Sequence, residues 1–92
     1  MQRLSLLSAA EVQQQLADAV RRKRKQMKLS RAALAEKSTV PAPTIKKFET
    51  TGQISLRQFI LLWQCVDELE RLAALCKPQP AKPRSIDEVL GL

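Results

Sequence analysis

Apolar residues recur at intervals of three and four positions between residues 8 and 76, the spacing that places them on one side of an α-helix. The first such segment begins at Ser8, which stands three residues before Glu11 in the arrangement of a helix-capping pair. Later segments begin at Ser30, Pro41, Ser55 and Asp67. The pattern predicts an all-α body of five helices with short connections, because Ser and Asp cap helices well and Pro is accepted in a first turn.

Individual positions within these helices carry more specific expectations. In the first helix, the residues that recur at these intervals and that we expect to face the core are Val12, Leu16, Ala19, Val20 and Lys23. In the third helix, Ile45 and Phe48 lie three positions apart and should point inward. Gly52 follows that helix, and as the one glycine before residue 91 it is expected to take a positive φ.

Prolines divide the chain into three parts. Pro78, Pro80 and Pro83 fall within six residues and mark the end of the folded body near Cys76. The predicted organisation is a leucine-rich arm over residues 1–7, a helical domain over residues 8–76, and a Pro-rich tail over residues 77–92. The tail ends in a short amphipathic segment with apolar residues Ile86, Val89 and Leu90, which is too short to be helical unless it docks on another surface.

The positive charge of the chain is concentrated in one segment. The whole chain carries a formal net charge of +7, yet residues 21–47 contain ten basic residues against one acid, Glu36. A basic segment of this density is typical of a surface that binds phosphates. Its basic residues are Arg21, Arg22, Lys23, Arg24, Lys25, Lys28, Arg31, Lys37, Lys46 and Lys47.

The composition argues against catalysis. The chain has no His, which is the commonest general base and metal ligand. It also lacks a nucleophile–base pair, a phosphate-cradling glycine loop and a ligand cluster, so we expect no enzyme activity, no cofactor and no metal. Three aromatic residues are few for a surface that stacks on single-stranded bases.

Cysteine usage and hydropathy bear on the compartment. Cys65 and Cys76 form no C-x-x-C pair, and we expect both thiols to pack as small apolar groups. No segment is apolar enough for a signal peptide or a membrane span. The sequence therefore predicts a cytoplasmic protein that is not bound in a membrane.

Two short helices joined by a tight turn, the second with a basic outer side, have the geometry of a helix-turn-helix. Ala32, Ala33 and Ala35 are small enough to let the two helices cross closely. The exposed edge of the second helix then enters the major groove of DNA. Bidentate or apolar contacts with base edges would supply the sequence preference, and contacts with phosphates would supply the remaining affinity.

The residues also resemble a known family. The run from Leu29 to Glu49, LSRAALAEKSTVPAPTIKKFE, is similar to the Xre type of helix-turn-helix, the Cro and phage-repressor fold. The run from Phe48 to Leu56, FETTGQISL, is similar to the F-E-x-T-G-x-I-S-L segment of HipB-like antitoxin regulators. This resemblance covers most of residues 4–92. It implies a five-helix Cro/phage-repressor-like domain that represses its own operon and holds a HipA-like kinase toxin, whole or split into two proteins.

The resemblance also assigns roles to individual positions. Arg31 stands where the family has a Gln that holds a phosphate or supports the reading helix, Ser38 where the turn has Gly, and Pro41 where a Ser or Thr cap is common. The implied DNA-binding positions are Ser30, Arg31, Pro41, Ala42, Pro43, Thr44, Lys46 and Lys47. The basic side that would contact DNA phosphates comprises Arg21, Arg22, Arg24, Lys25 and Lys28.

The sequence leaves several alternatives open. A homodimer on a near-palindromic operator is expected, because one such module buries too little surface for a tight specific complex. Its seam is formed either by Trp63, Leu69 and Leu72, with Trp63 otherwise in the core of one copy, or by Leu4, Leu6 and Leu7. The tail segment at Ile86, Val89 and Leu90 either docks on the toxin or folds back. The alternative functions are a phage-type repressor without a toxin, and a polybasic protein that binds RNA or a membrane surface without specificity.

Overall fold

The computed structural model of the chain describes residues 6–79. Its helices are α1 (Ala9–Gln26), α2 (Arg31–Ser38), α3 (Ala42–Thr51), α4 (Leu56–Val66) and α5 (Leu69–Ala73), and a 3₁₀ turn over Ala74–Cys76 follows α5. Within residues 6–79 there is no β-strand. The predicted all-α body of five helices is therefore confirmed.

Serine side chains begin three of the helices in the way that the sequence predicts. The hydroxyls of Ser8, Ser30 and Ser55 accept hydrogen bonds from the backbone N–H groups three residues ahead, at 3.1, 3.0 and 3.2 Å. Each bond satisfies an N–H group that has no partner within its helix. Pro41 begins α3 without a side-chain cap, as its lack of a hydroxyl requires.

The prediction that Asp67 caps the fifth helix is wrong. Asp67 ends α4, and α5 begins two residues later, after Glu68, without a side-chain cap. The carboxylate of Asp67 instead lies 2.7 Å from the Lys23 ammonium and 2.5 Å from the Arg71 guanidinium. The pair with Lys23 joins the connection between α4 and α5 to the last turns of α1, whereas the pair with Arg71 links that connection to α5.

The core forms where α1, α2, α3 and α4 meet. Phe48 and Phe59 contact edge to face with ring centroids 5.8 Å apart, and Phe59 lies 6.0 Å from Trp63. Trp63 thus belongs to the core of one copy, and its indole N–H donates to the carbonyl of Glu68 at 3.0 Å. The buried apolar residues are Ala17, Val20, Leu34, Val40, Ile45, Phe48, Phe59, Leu62 and Trp63.

The buried stripe of α1 includes the predicted Val20, and the predicted Leu16 packs partly against the core, but the stripe is shifted toward Ala17 and Arg24. Ala17, Val20 and Arg24 are the buried residues of this helix, whereas Val12 is 40% exposed. The three buried positions keep the three- and four-residue spacing, so the periodicity is as predicted but the helix is rotated relative to the expected orientation. A charged residue, Arg24, consequently occupies a core position.

Within residues 6–79, three residues take a positive φ, and each stands where a helix ends. Gly52 has φ +78°, as predicted, and a Cβ at this position would lie 3.2 Å from backbone and side-chain atoms of Gln13. In the α2–α3 turn the left-handed residue is Thr39 with φ +65°. Ser38, which stands where the family has Gly, remains helical, and its hydroxyl accepts from the N–H of Val40 at 3.1 Å. The third residue is Lys28 with φ +58°, between α1 and α2.

The two cysteines differ in their surroundings. Cys65 packs against the core and is half-buried, and burial raises the pKa of its thiol although Lys37 works in the opposite direction. Cys76 is exposed, so the prediction of two buried thiols is wrong for this residue, since no residue of the 3₁₀ turn is buried. Among residues 6–79, no helix is long and apolar enough to cross a bilayer.

Two groups of predicted residues lie outside the described residues. They are Leu4 in the arm and the tail positions Ile86, Val89 and Leu90.

Candidate nucleic-acid interface

The two helices predicted to form a helix-turn-helix are joined by three residues, Thr39, Val40 and Pro41. Val40 is buried in the core, and the backbone N–H of Thr39 donates to the carbonyl of Ala35 at 2.9 Å. The left-handed conformation of Thr39 turns the chain sharply at the end of α2. The connection is therefore short and anchored at its centre, so α2 and α3 hold one relative orientation.

One side of α3 is open to solvent. Pro43, Lys46, Lys47 and Thr50 are all exposed and follow the three- and four-residue spacing of a single helix face, which we name the α3 outer face. Ala42 and Thr44 lie beside it and are half-buried. Sequence reasoning did not include Thr50, although its position four residues after Lys46 was the available signal.

The polarity of the α3 outer face comes mainly from two ammonium groups. The hydroxyl of Thr50 donates to the carbonyl of Lys46 at 2.9 Å, and that of Thr51 donates to the carbonyl of Lys47 at 2.6 Å. Both hydroxyl protons are therefore engaged in hydrogen bonds within α3. The ammonium groups of Lys46 and Lys47 have no ion-pair partner within residues 6–79 and are free to meet anions.

The opposite side of α3 carries a buried carboxylate. Glu49 has a fully buried side chain, and its two oxygens accept from Nε and Nη2 of Arg24 at 2.8 and 3.0 Å. The Nε of Arg31 donates to the same carboxylate at 3.0 Å. Arg24 lies on α1, Arg31 on α2 and Glu49 on α3, so these three residues, which we name the arginine–glutamate cluster, join the three helices at one point.

The cluster also holds the connection between the first two helices. Nη1 of Arg24 donates to the carbonyl of Leu29 at 2.8 Å, just before α2 begins. The described residues contain no buried side-chain nitrogen or oxygen without a hydrogen-bond partner. A buried ion pair that is fully hydrogen-bonded in this way contributes to a unique arrangement of its helices, because breaking it leaves an unpaired buried charge.

The charge state of Glu49 follows from its two guanidinium partners. Burial works to raise the pKa of this carboxyl, but the hydrogen bonds and positive charges of Arg24 and Arg31 outweigh burial and hold the pKa below its ordinary value of 4.5. Glu49 is therefore ionised at neutral pH. Sequence reasoning missed this residue as part of the site, although its position four residues after Ile45 indicated an inward orientation.

This arrangement changes the predicted role of Arg24. Its side chain is 8% exposed and all three guanidinium nitrogens donate within the chain, so the prediction that Arg24 lies on the phosphate-contacting side is wrong. The physical reason is the rotation of α1, which turns Arg24 inward and leaves its neighbours outward. Arg31 is intermediate, with a side chain that is 36% exposed and a guanidinium that supports Glu49.

The remaining predicted basic residues of α1 do lie on its surface. Gln14 donates to the carbonyl of Glu49 at 3.4 Å and to the carboxylate of Asp18 at 3.0 Å, which marks the side of α1 that borders α3. Arg21 and Lys25 continue the same stripe, at seven and eleven residues after Gln14. Asp18, Arg21, Arg22, Lys25 and Gln26 line a shallow concavity.

Lys23 does not add a free charge to this surface, because Asp67 binds its ammonium group. Its ammonium pairs with Asp67 and also lies 5.6 Å from the centre of the Trp63 ring. The hydrogen bonds from Lys23 and from the backbone N–H of Glu68 lower the pKa of Asp67, and the charges of Arg71 and Lys23 add to this effect, although desolvation opposes it. The basic residues of the segment that are exposed and make no ion pair within residues 6–79 are Arg21, Arg22, Lys25, Lys28, Lys37, Lys46 and Lys47.

Two of the predicted DNA-binding positions are exposed at the starts of helices. Ser30 begins α2, with its hydroxyl oxygen already accepting from the N–H of Ala33. Pro41 is exposed and begins α3. The structure thus brings Pro41 together with the α3 outer face on one helix, while Ser30 and Arg31 stand at the start of the preceding one.

The described chain is thus an all-helical body whose third helix is anchored by a buried ion-pair cluster and presents lysines to solvent. Comparison of the chain with family models, with curated proteins and with solved structures finds no match.

Proposed function

We propose that this protein is a sequence-specific regulator that binds double-stranded DNA and represses transcription. The observation that carries the proposal is the anchoring of α3, whose outer face bears Lys46 and Lys47 while its inner side is held by Glu49. A helix that reads base edges needs a free basic face and a fixed orientation, and α3 has both.

In this proposal α2 and α3 form a helix-turn-helix within a Cro/phage-repressor-like fold. The ten residues of α3 span about 15 Å at 1.5 Å per residue, and the diameter of an α-helix, about 10 to 12 Å, fits a major groove about 12 Å wide. Lys47 donates to guanine O6 and N7, and Ala42 and Pro43 pack against thymine methyl groups. Thr44 and Lys46 hold phosphates beside the groove.

The other free cations supply affinity that does not depend on sequence. Arg21, Lys25 and Lys28 neutralise phosphates and release counterions, and Arg22 and Lys37 extend the same surface. Few direct base contacts are available to a helix that begins with Ala42 and Pro43. The shape and deformability of the DNA therefore supply part of the sequence preference.

We further propose a homodimer on a near-palindromic operator and, as a partner, a HipA-like kinase toxin, whole or split. Support for the dimer is the small area that one module buries on DNA. Support for the toxin is the resemblance of residues 48–56 to HipB-like antitoxins. A phage-type repressor without a toxin is the second form of the same proposal, and a kinase-like reading frame adjacent in the operon separates the two.

The test is a titration of the full chain against two duplexes of equal length and composition. One carries the DNA upstream of the protein's own reading frame, and the other carries a scrambled version of it. Fluorescence anisotropy at rising salt should give tighter binding to the upstream duplex at every salt concentration, with both affinities falling as salt rises. Equal affinities would reject sequence-specific repression and favour a nonspecific polybasic binder.

A further inference from the structure

We infer that Thr39 is a positioning residue that fixes the orientation of α3 relative to α2, and that it does so through a strained but stiff backbone conformation. The inference rests on the proposed function, in which α3 contacts base edges. It adds a residue outside α3 that determines how α3 is presented to DNA.

The first observation is the backbone of Thr39. This residue has φ +65° and ψ +7°, in the left-handed region. A side chain is disfavoured there because its Cβ lies too close to the following carbonyl oxygen, and a β-branched residue is a marked outlier. Gly52, at the other end of α3, takes a similar φ of +78° without this cost because it has no Cβ. The turn before α3 therefore stores strain that glycine would avoid.

The second observation is the set of hydrogen bonds that holds Thr39 in this conformation. Its backbone N–H donates to the carbonyl of Ala35 at 2.9 Å, and its hydroxyl donates to the carbonyl of Ser38 at 2.5 Å. The hydroxyl of Ser38, which is buried, accepts from the N–H of Val40 at 3.1 Å. Backbone strain persists only where the surrounding contacts hold it in this way.

The third observation is that the rest of the connection is already restricted. The ring of Pro41 fixes its φ, which is −57°, and the residue before a proline is confined to extended conformations. Val40 is limited by that proline and also by its burial in the core. Thr39 is thus the position in the α2–α3 connection where a substitution can introduce freedom, and its branched side chain removes that freedom.

A stiff connection matters most for the contacts made at the beginning of α3. Glu49 and the buried Phe48 hold the second half of this helix, whereas Thr39 acts just before Ala42 and Pro43, which we assign to base contacts. Freedom at that end would have to be lost on binding, and this loss lowers affinity. Phosphate contacts from α1 do not require the same fit. Thr39 therefore contributes to sequence preference rather than to nonspecific affinity.

Thermal denaturation of the full chain tests the strain. At an ordinary helix position glycine is less stable than alanine, so Ala32→Gly, on the exposed side of α2, should lower the melting temperature. At position 39 the order should be reversed, with Thr39→Gly melting about 4 °C or more above Thr39→Ala. Both variants lack the hydroxyl, so the comparison isolates the cost of the Cβ. A Thr39→Gly variant that melts below Thr39→Ala would overturn the inference.

Amide hydrogen exchange without DNA tests the stiffness. After correction for intrinsic rates, the N–H of Val40 should exchange about fivefold faster in Thr39→Gly than in Thr39→Ala, although the glycine variant is the more stable of the two. The N–H of Gly52, which donates to the carbonyl of Phe48 at 2.7 Å at the far end of α3, is the internal control and should not exchange faster. Equal corrected rates at Val40 would overturn the inference.

Anisotropy titration tests the consequence for DNA binding. Thr39→Gly should bind the upstream duplex about threefold to tenfold more weakly than the original chain, with its affinity for the scrambled duplex unchanged. Thr39→Ser keeps the Cβ and the hydroxyl and should restore the original affinity. Lys28, with φ +58°, provides the matched control because it precedes α2 rather than α3. Lys28→Gly and Lys28→Ala should show the same ratio of affinities for the two duplexes.

A residue that served only to end α2 would respond differently. Thr39→Gly would then be more stable than Thr39→Ala and would keep the original affinity for the upstream duplex, and this result would overturn the inference. An original chain that shows no preference for the upstream duplex would reject the proposed function. In that case the melting and exchange measurements, which contain no DNA, still decide whether Thr39 holds α3 in place.

Discussion

The Nε of Arg24 lies 2.8 Å from a carboxylate oxygen of Glu49, and this buried pair joins the last turns of α1 to the second half of α3. The same carboxylate accepts from Arg31 on α2. The orientation of α3 is thus held by charge as well as by the burial of Ile45 and Phe48. Substitutions at these positions therefore differ in effect from substitutions of the residues of α1 and α3 that face outward.

Replacement of Glu49 tests the anchoring of α3. Glu49→Gln keeps the shape of the side chain but leaves Arg24 as a buried charge without its counter-ion. We expect the free energy of unfolding to fall by about 3 to 5 kcal/mol, measured by urea denaturation. The matched control is Glu36→Gln, because Glu36 is exposed on α2, and it should change the free energy by less than about 0.5 kcal/mol. If the two variants lower the free energy of unfolding equally, the arginine–glutamate cluster makes no specific contribution to stability.

The pKa of Glu49 predicts how stability depends on pH. This pKa is lower in the folded chain than its ordinary value of 4.5, so the unfolded chain takes up the proton first as the pH falls. The contribution of Glu49 is therefore complete above about pH 5 and is lost as the pH falls through 4.5 to the lower pKa of the folded state. Urea denaturation at several pH values should show this loss, with Asp67 adding to it because its pKa is also lowered.

The variant Glu49→Gln serves as the control for that experiment. It should show a smaller decrease in stability over the same acidic range, because the residue that titrates is gone. If the stability of Glu49→Gln falls as steeply with pH as that of the original chain, the pH dependence arises from other carboxylates.

Two arginines three positions apart on α1 should behave differently. Arg24→Met removes the paired partner of a buried carboxylate and should lower the free energy of unfolding by about 3 kcal/mol. Arg21→Met removes an exposed charge and should leave stability within about 0.5 kcal/mol while weakening binding to any duplex. Thermal denaturation together with anisotropy titration distinguishes them. Similar melting temperatures for the two variants would contradict the assignment of Arg24 to the core.

Two exposed lysines should differ in their effect on sequence preference. Lys47→Ala should cost about 1 to 3 kcal/mol on the upstream duplex and relax the preference at one base position. Lys28→Ala removes the same charge outside α3 and should weaken the upstream and scrambled duplexes alike. Each variant should reduce by about 1 the magnitude of the slope of the log binding constant against the log salt concentration. A Lys47→Ala variant that keeps the original ratio of affinities would show that Lys47 does not read bases.

The local features of the fold were accessible from the sequence because their causes are local. Ser8, Ser30 and Ser55 begin helices since a hydroxyl satisfies an N–H group three residues ahead. The positive φ of Gly52 was predictable because glycine has no Cβ, which would be strained at this φ and would crowd Gln13. The failure at Asp67 has a partly nonlocal cause, because its carboxylate binds Lys23 on a distant helix as well as its neighbours Glu68 and Arg71.

By itself the sequence determined the helical periodicity, the helix starts and the concentration of positive charge in residues 21–47. Only the tertiary structure decided which of those charges are free. Arg21, Arg24 and Lys25 are equivalent in composition, but the rotation of α1 around the core turns Arg24 toward Glu49 and leaves the other two in solvent. Periodicity specifies the spacing of a buried stripe, whereas the packing of three helices around one carboxylate specifies which charged residue joins that stripe.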